Sequence, residues 1–130
     1  MNTATLLMNG RVLLVGNVEN DGLPADAEVY DPVTGTFMFI GNTIAPHEFA
    51  AAVRLADGTV LITGGQLPGG SGSAGSDLYL PATGTFASAG GMTMGRHSHT
   101  ATLLRDGRVL IAGGFTTWPT PTSSAEIYKP

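Results

Sequence analysis

Two histidines, His97 and His99, stand two residues apart, and on a β-strand this spacing places both imidazole rings on one face. Two imidazoles on one face could act as a pair of metal ligands. The sequence around the pair offers neither a carboxylate nor a third imidazole to complete the set. We therefore predict no metal and no cofactor, and we expect His99 to form a hydrogen bond within its own repeat.

A second set of ionisable residues follows a pattern, because an acidic residue stands two positions before a tyrosine at three places. The pairs are Glu28 and Tyr30, Asp77 and Tyr79, and Glu126 and Tyr128. Such carboxylates could serve in acid–base catalysis, or they could accept hydrogen bonds from backbone N–H groups or pair with Arg11 and Arg108. Because the carboxylate is present in every repeat, the structural role is the favoured interpretation.

The tyrosines recur because the whole chain is repeated with a period near 49 residues, a length typical of solenoids and propellers. Each repeat is predicted to contain short strands a to d. Strands a and b should be joined by a two-residue type I′ turn at an Asn-Gly or Asp-Gly pair. These pairs are Asn9-Gly10, Asp57-Gly58 and Asp106-Gly107.

Strand b does not alternate between apolar and polar residues. The runs VLLV (12–15) and VLI (109–111) are apolar at consecutive positions, which predicts burial of both strand faces. An antiparallel sheet achieves this when other sheets cover both of its sides, as in blades stacked around an axis. The predicted fold class is therefore all-β, a β-propeller.

The order of residues within each repeat supports this prediction. A strand that ends in Gly-Gly, followed about 14 residues later by a tyrosine and then by a turn and an aromatic residue, resembles the kelch motif. The phrase HTATLLRDGRVLIAGG (99–114), followed by AEIYKP, is similar to bacterial repeats of the galactose-oxidase type. That resemblance implies a kelch-type propeller. Galactose-oxidase-like enzymes use copper and a Tyr–Cys radical, and the chain has no cysteine, so we expect no enzyme.

The repeats predict a single unit of three blades, at about residues 2–45, 46–94 and 95–130, with the last blade lacking strand d. Closed propellers have four to eight blades, and bare outer blade faces would leave large apolar side chains in water. We therefore predict that two copies close a six-bladed ring as a homodimer. The alternative is that the chain is a fragment of a larger propeller.

The overall composition limits the classes of partner. The net charge is −4 and no Lys/Arg cluster is present, so we expect no nucleic-acid partner. The apolar runs are shorter than the ~20 residues of a membrane-spanning helix, so we expect no membrane segment. A cytoplasmic location is expected if Met1 is the native start, and an extracellular one is equally open if the chain is a fragment.

The candidate binding residues are those that the repeats do not share. They fall in the long loops between strands b and c and in the linkers before strand a, which emerge on one face of the predicted ring. The candidates are Trp118, Phe115, Glu19, Asp21, His47, Glu48, Arg96 and His97, with Arg54 directed at a central channel.

These candidates favour a non-catalytic module that binds a protein partner through its loop face. The alternative is carbohydrate binding, in which Trp118 and the acidic loop residues would contact a sugar. Trp118 could also simply cover the apolar cluster of its own loop, and the chain would then be an oligomerising unit without a ligand.

Overall fold

The structure is a computed structural model that describes residues 2–16 and 24–130. The described residues form thirteen β-strands and no helix, which confirms the predicted all-β class. The strands are β1 (Thr3–Leu6), β2 (Val12–Gly16), β3 (Asp26–Asp31), β4 (Thr36–Asn42), β5 (Ala51–Arg54), β6 (Val60–Thr63), β7 (Gly75–Leu80), β8 (Thr85–Gly91), β9 (Thr100–Leu103), β10 (Val109–Ala112), β11 (Phe115–Thr117), β12 (Thr120–Pro121) and β13 (Ala125–Tyr128). No helix capable of crossing a membrane occurs in this described part of the chain.

The strands form three main antiparallel sheets, one for each sequence repeat. The first sheet is β1-β2-β3-β4 and the second is β5-β6-β7-β8, both in chain order. The third sheet contains β9, β10 and β13 and has no fourth strand within residues 24–130, as predicted. The segment between β10 and β13 was expected to be a loop, but β11 and β12 pair there as a short hairpin.

The turns between strands a and b differ from the predicted type I′ geometry. Gly10 has a φ of 85°, but Asn9 does not have a positive φ, whereas a type I′ turn requires both. The Gly10 N–H donates to the Leu7 carbonyl and the Leu7 N–H donates to the Arg11 carbonyl, so the loop has three residues. The Asn9 side chain accepts the Arg11 N–H at 3.0 Å, which stabilises this longer turn.

The first and second sheets pack face to face through an apolar cluster. Leu13 and Val29 of the first sheet lie in this cluster with Val60, Ile62 and Tyr79 of the second sheet. Strands β1 and β5 are neighbours at one edge of the interface. Burial of large apolar side chains between sheets is the main favourable contribution to such packing.

The second and third sheets pack in the same way. Leu55 and Leu61 of the second sheet form a cluster with Val109 and Ile111 of the third sheet. Strand β9 lies beside β5, so the first strands of the three sheets run side by side. The second sheet is therefore covered on both faces.

Two-sided burial, predicted for strand b of the first and third repeats, occurs instead in strand b of the second repeat. All four residues of β6 are buried. In β2, Leu13 and Val15 are buried while Val12 and Leu14 are only half-buried. In β10, Leu110 is half-buried in the same way. The prediction was wrong for these two strands because the first and third sheets each have a neighbouring sheet on one side only.

Truncation of leucine should report this difference. We expect Leu61→Ala in β6 to lower the free energy of unfolding by about 2–5 kcal/mol, because it opens a cavity between close-packed sheets. Leu14→Ala in β2 should cost less than half as much, because its side chain is half-buried. Urea denaturation of both variants measures the difference, and equal losses would contradict the one-sided burial of β2.

Candidate functional site

A cavity of about 270 Å³ lies at the end of the sheets where the linkers before β5 and β9 meet the long loops. It is lined by Phe49, Gln66, His97, Ser98 and Trp118, and we call it the Trp118 pocket. Of the residues predicted from the sequence, it brings together His97 and Trp118, with Phe115 directly behind them.

Two residues in the left-handed region of backbone conformation shape the pocket. Phe49 has a φ of 55° and Ser98 a φ of 54°, and they stand at equivalent positions, 49 residues apart. Positive φ is uncommon for residues other than glycine, and here it turns each linker toward its strand a. The Ser98 N–H donates to the Phe49 carbonyl at 2.8 Å, so the two linkers are joined beside the pocket.

Aromatic rings form the wall of the pocket. The imidazole of His97 stacks on Phe115 with ring centroids 5.6 Å apart, and Phe115 contacts the indole of Trp118 at 4.9 Å. Phe49 lies 6.4 Å from His97 on the other side. Trp118 contacts its own loop's cluster, as one interpretation of the sequence held, yet it remains 60 % exposed. A broad apolar surface is therefore open to a ligand.

His97 contributes an unsatisfied polar atom to this wall. Its side chain is buried, and its Nδ1 lies 3.1 Å from the Ser98 hydroxyl. Its Nε2 has no hydrogen-bond partner among the described residues. The ring is therefore held by its stacking on Phe115 and by the Ser98 contact at Nδ1.

Hydrogen bonds between loops hold the pocket's outer rim. The Trp118 N–H donates to the Gly70 carbonyl at 2.9 Å, and the Gly72 N–H donates to the Thr116 carbonyl at 2.7 Å. The loop of the second repeat is thereby paired with the hairpin of the third. The rim is fixed by backbone hydrogen bonds rather than by side chains alone.

His47, predicted as a binding residue, lies in a buried ion pair instead. Its Nε2 is 3.2 Å from Asp77 Oδ2, and both side chains are almost fully buried. The same Asp77 oxygen accepts the backbone N–H groups of Ile44 and Ala45, at 2.7 and 3.2 Å. His47 Nδ1 lies 2.6 Å from the Gly64 carbonyl. We call this arrangement a carboxylate clasp.

Arg96, also predicted as a binding residue, forms the second carboxylate clasp. Glu126 accepts the N–H groups of Thr93 and Met94, at 2.6 and 3.0 Å, and lies 3.1 Å from Arg96 Nη2. Arg96 also donates to the carbonyl of Gly113 at 3.1 Å. These contacts confirm, for Asp77 and Glu126, the prediction that the strand carboxylates accept backbone N–H groups. For Glu28 the prediction was wrong, because its exposed carboxylate accepts none from the described residues.

The predicted arginine partners of the carboxylates were wrong. Arg11 pairs with Asp31 at 3.0 Å, and Arg108 pairs with Asp106 at 2.8 Å. Both arginines stand at the start of strand b, so the nearest carboxylates are those of the adjacent turns. The clasp cations come from the linkers instead.

The clasps change the acidity of their carboxylates. Burial alone would raise the pKa of Asp77, but the hydrogen bond and charge of His47 and the N–H groups of Ala45 and Ile44 hold it below its usual value. The pKa of Glu126 is lowered in the same balance, with the Thr93 and Met94 N–H groups offsetting burial. Both carboxylates are therefore ionised at neutral pH.

His99 is structural, but its partner differs from the one expected. Its Nε2 lies 2.8 Å from the Thr63 hydroxyl of the second sheet, rather than bonding within its own repeat. Burial, together with the nearby charges of Arg96, His97 and His47, lowers the pKa of His99 to about 4. The ring is neutral at physiological pH and joins two sheets.

The predicted pairing of His97 and His99 on one strand face was wrong. Strand β9 begins only at Thr100, and the left-handed Ser98 between the histidines interrupts the alternation of an extended strand. Within residues 2–16 and 24–130, no group of three or more His, Cys, Asp or Glu side chains is placed to hold a metal ion.

The remaining candidates lie outside the pocket. Arg54 donates to the Leu6 carbonyl at 2.9 Å and so links β5 to β1. The Glu48 carbonyl accepts the Gln66 N–H, but the Glu48 side chain does not line the cavity. Glu19 and Asp21 lie outside the described residues.

Sequence reasoning missed Phe49, Gln66 and Ser98. A signal was available, because Phe49 aligns with Ser98, and Gln66 with Phe115, at the repeat spacing of 49 residues. Position-by-position alignment of the repeats would have placed these residues opposite one another at the same loop and linker positions.

Comparison with known proteins supports the fold. No protein-family model matches the chain, and no curated protein matches its sequence. The structure is similar to a fungal alcohol oxidase of the AA5 family in complex with copper, with a TM-score of 0.79 and 17 % sequence identity. The match covers 99 % of this chain but only 28 % of the oxidase chain. The chain thus has an all-β fold of the galactose-oxidase-like type.

The described residues contain no ligand set that matches the copper bound by that oxidase. Among the described residues no side chains cluster as a metal-ligand set, and the sequence contains no cysteine. The residues present therefore do not fit the metal, and we derive no chemistry from it.

The depressed pKa of His99 predicts a pH dependence of stability. The unfolded chain takes up a proton at pH 6.5 that the folded chain resists until about pH 4, so stability is lost as the pH falls between these values. The expected loss is about 3 kcal/mol. His99→Gln, which keeps a polar group for Thr63, should flatten the profile between pH 7 and 4.5 in urea denaturation. An unchanged slope would contradict the assignment.

Proposed function

We propose that the chain is a non-catalytic binding module built as part of a kelch-type β-propeller, and that its Trp118 pocket binds an extended segment of a partner protein. The propeller interpretation is supported by the side-by-side first strands of the three sheets and by the likeness to the AA5 oxidase fold. The binding proposal is supported by the pocket itself.

One observation carries the binding proposal: the exposed indole of Trp118 and the ring of Phe49 line the same cavity as the polar side chains of Ser98 and Gln66. The two aromatic rings offer apolar faces to a proline or aromatic side chain. The Ser98 hydroxyl and the Gln66 amide offer hydrogen bonds to the backbone of a peptide. Tryptophan is also among the residues that contribute most to protein interfaces.

The surroundings of the pocket suit a protein partner. The hydrogen bonds between Gly70 and Trp118 and between Gly72 and Thr116 preorganise the rim, which lowers the entropic cost of binding. An extended peptide can contact the indole and reach beyond a cavity of this size along the rim.

Carbohydrate is the second candidate ligand, and one observation favours it. The largely exposed indole of Trp118 lies beside the amide of Gln66, and sugars combine an apolar face with hydroxyl groups that such an amide can bind. The peptide and carbohydrate proposals assign different ligands to the same residues of the Trp118 pocket.

We also propose that two copies complete a six-bladed ring as a homodimer. The outward face of the first sheet exposes Leu6, Phe37 and Phe39 at about 60 % each, which is unfavourable in water. Static light scattering of the purified chain should give about twice the chain mass of 13.3 kDa. A solution mass equal to that of one chain at micromolar concentration would contradict the homodimer.

Binding at the pocket can be tested with a displayed peptide library and a glycan array. We expect the chain to select peptides that contain proline or aromatic residues. Trp118→Ala should weaken the selected peptide about tenfold or more, because an interface tryptophan commonly contributes about 2 kcal/mol.

The matched control is Val33→Ala, which truncates a 92 % exposed apolar side chain that does not line the pocket. It should leave peptide binding unchanged. Selection of glycans alone, with loss in Trp118→Ala, would replace the peptide proposal with the carbohydrate one. Retention of binding in Trp118→Ala would contradict both.

A further inference from the structure

Glu28 is the one strand carboxylate of the three that has no clasp. The three occupy equivalent register positions, since Glu28 lies opposite Leu14, Asp77 opposite Ile62, and Glu126 opposite Ile111. Asp77 and Glu126 each bind two backbone N–H groups and a cation. The Glu28 side chain is exposed, and its carboxylate has no hydrogen bond or ion pair with any described residue.

The two filled clasps define the chemistry that such a carboxylate recognises. In both, the partner is a linker with a bend that offers two consecutive backbone N–H groups, and a basic side chain follows two residues after the second of them. His47 follows Ala45, and Arg96 follows Met94. The side chain differs between the two clasps, but the spacing is the same.

The cation has a second contact in both clasps. His47 reaches the carbonyl of Gly64, and Arg96 reaches the carbonyl of Gly113. Gly64 and Gly113 each directly follow strand b, and Gly16, the last residue of β2, stands at the equivalent position of the first repeat. A backbone carbonyl is therefore present at the corresponding sequence position of the first sheet.

The surface around Glu28 also exposes apolar rings to water. Phe39 lies opposite Glu28 in β4 and is 60 % exposed. In the second sheet, the aromatic pair of Tyr79 and Phe86 packs into the apolar core, whereas the equivalent Phe37 of the first sheet is 60 % exposed. The carboxylate and the apolar rings lie on one uncovered face.

We propose that Glu28 is a docking site for a polypeptide segment with a bend that offers two consecutive backbone N–H groups and, two residues later, a histidine or arginine. The carboxylate takes the N–H groups and the cation, and the rings of Phe37 and Phe39 pack against the strand from which the segment emerges. The site is independent of the Trp118 pocket, so either proposal can fail alone.

A grafted segment tests the proposal. Replacing Asn2 with a copy of residues 43–50 (TIAPHEFA) places the graft's histidine four residues before β1, as His47 stands four residues before β5. The graft should raise the thermal midpoint of unfolding by about 4 °C, because it supplies the missing clasp. It should also protect the backbone amides of the grafted linker from hydrogen exchange.

Glu28→Gln provides the decisive comparison. Because Glu28 is exposed and unpaired, this change should leave the ungrafted chain unaltered, but it should abolish the gain in the grafted chain. Glutamine in place of the graft's histidine should likewise remove most of the gain. Asp77→Asn serves as the reference, since it breaks an existing clasp and should lower the midpoint in both chains.

Two results would overturn the proposal. The first is a graft that gives no gain, or a gain that persists in Glu28→Gln. The second is a lower thermal midpoint for ungrafted Glu28→Gln, which would show that the carboxylate already has a partner in the ungrafted chain.

Discussion

The pairing of a strand carboxylate with the backbone of the incoming linker is the interaction on which the arrangement of the sheets depends. A linker that passes from one sheet to the next brings N–H groups into an interface where water is scarce, and each must find an acceptor. Asp77 and Glu126 supply that acceptor, and His47 and Arg96 balance its charge. The linker is thereby fixed at the same place in two successive interfaces.

The clasp also determines where the Trp118 pocket can form. His97 directly follows the clasp residue Arg96, and the left-handed Ser98 comes next. Once Arg96 is held by Glu126 and by the Gly113 carbonyl, the next two residues have little freedom. The contacts of Arg96 therefore help to hold the imidazole of the next residue, His97, against Phe115. The pocket wall is thus preorganised without a ligand.

Much of the fold could be predicted from the sequence, because the period of 49 residues and the apolar runs of strand b are visible in the order of the residues alone. The prediction failed where the number of neighbouring sheets matters, as it does for Leu14 and Leu110. For the pocket, Trp118 and His97 were found because they are chemically distinctive. Phe49 was missed because its role comes from a positive φ, which the residue type does not indicate.

His47 and Arg96 show why residue type alone misled the search for a site. They differ between repeats and so looked unrepeated, yet they fill the same position of the same clasp. Position 48 makes the opposite point: the carbonyls of Glu48 and His97 accept equivalent N–H groups, from Gln66 and Phe115. Here the backbone role is repeated while the side chains differ, as a carboxylate and an imidazole. The proposed binding specificity therefore depends on positions whose backbone is fixed by the repeat and whose side chain is not required for the fold.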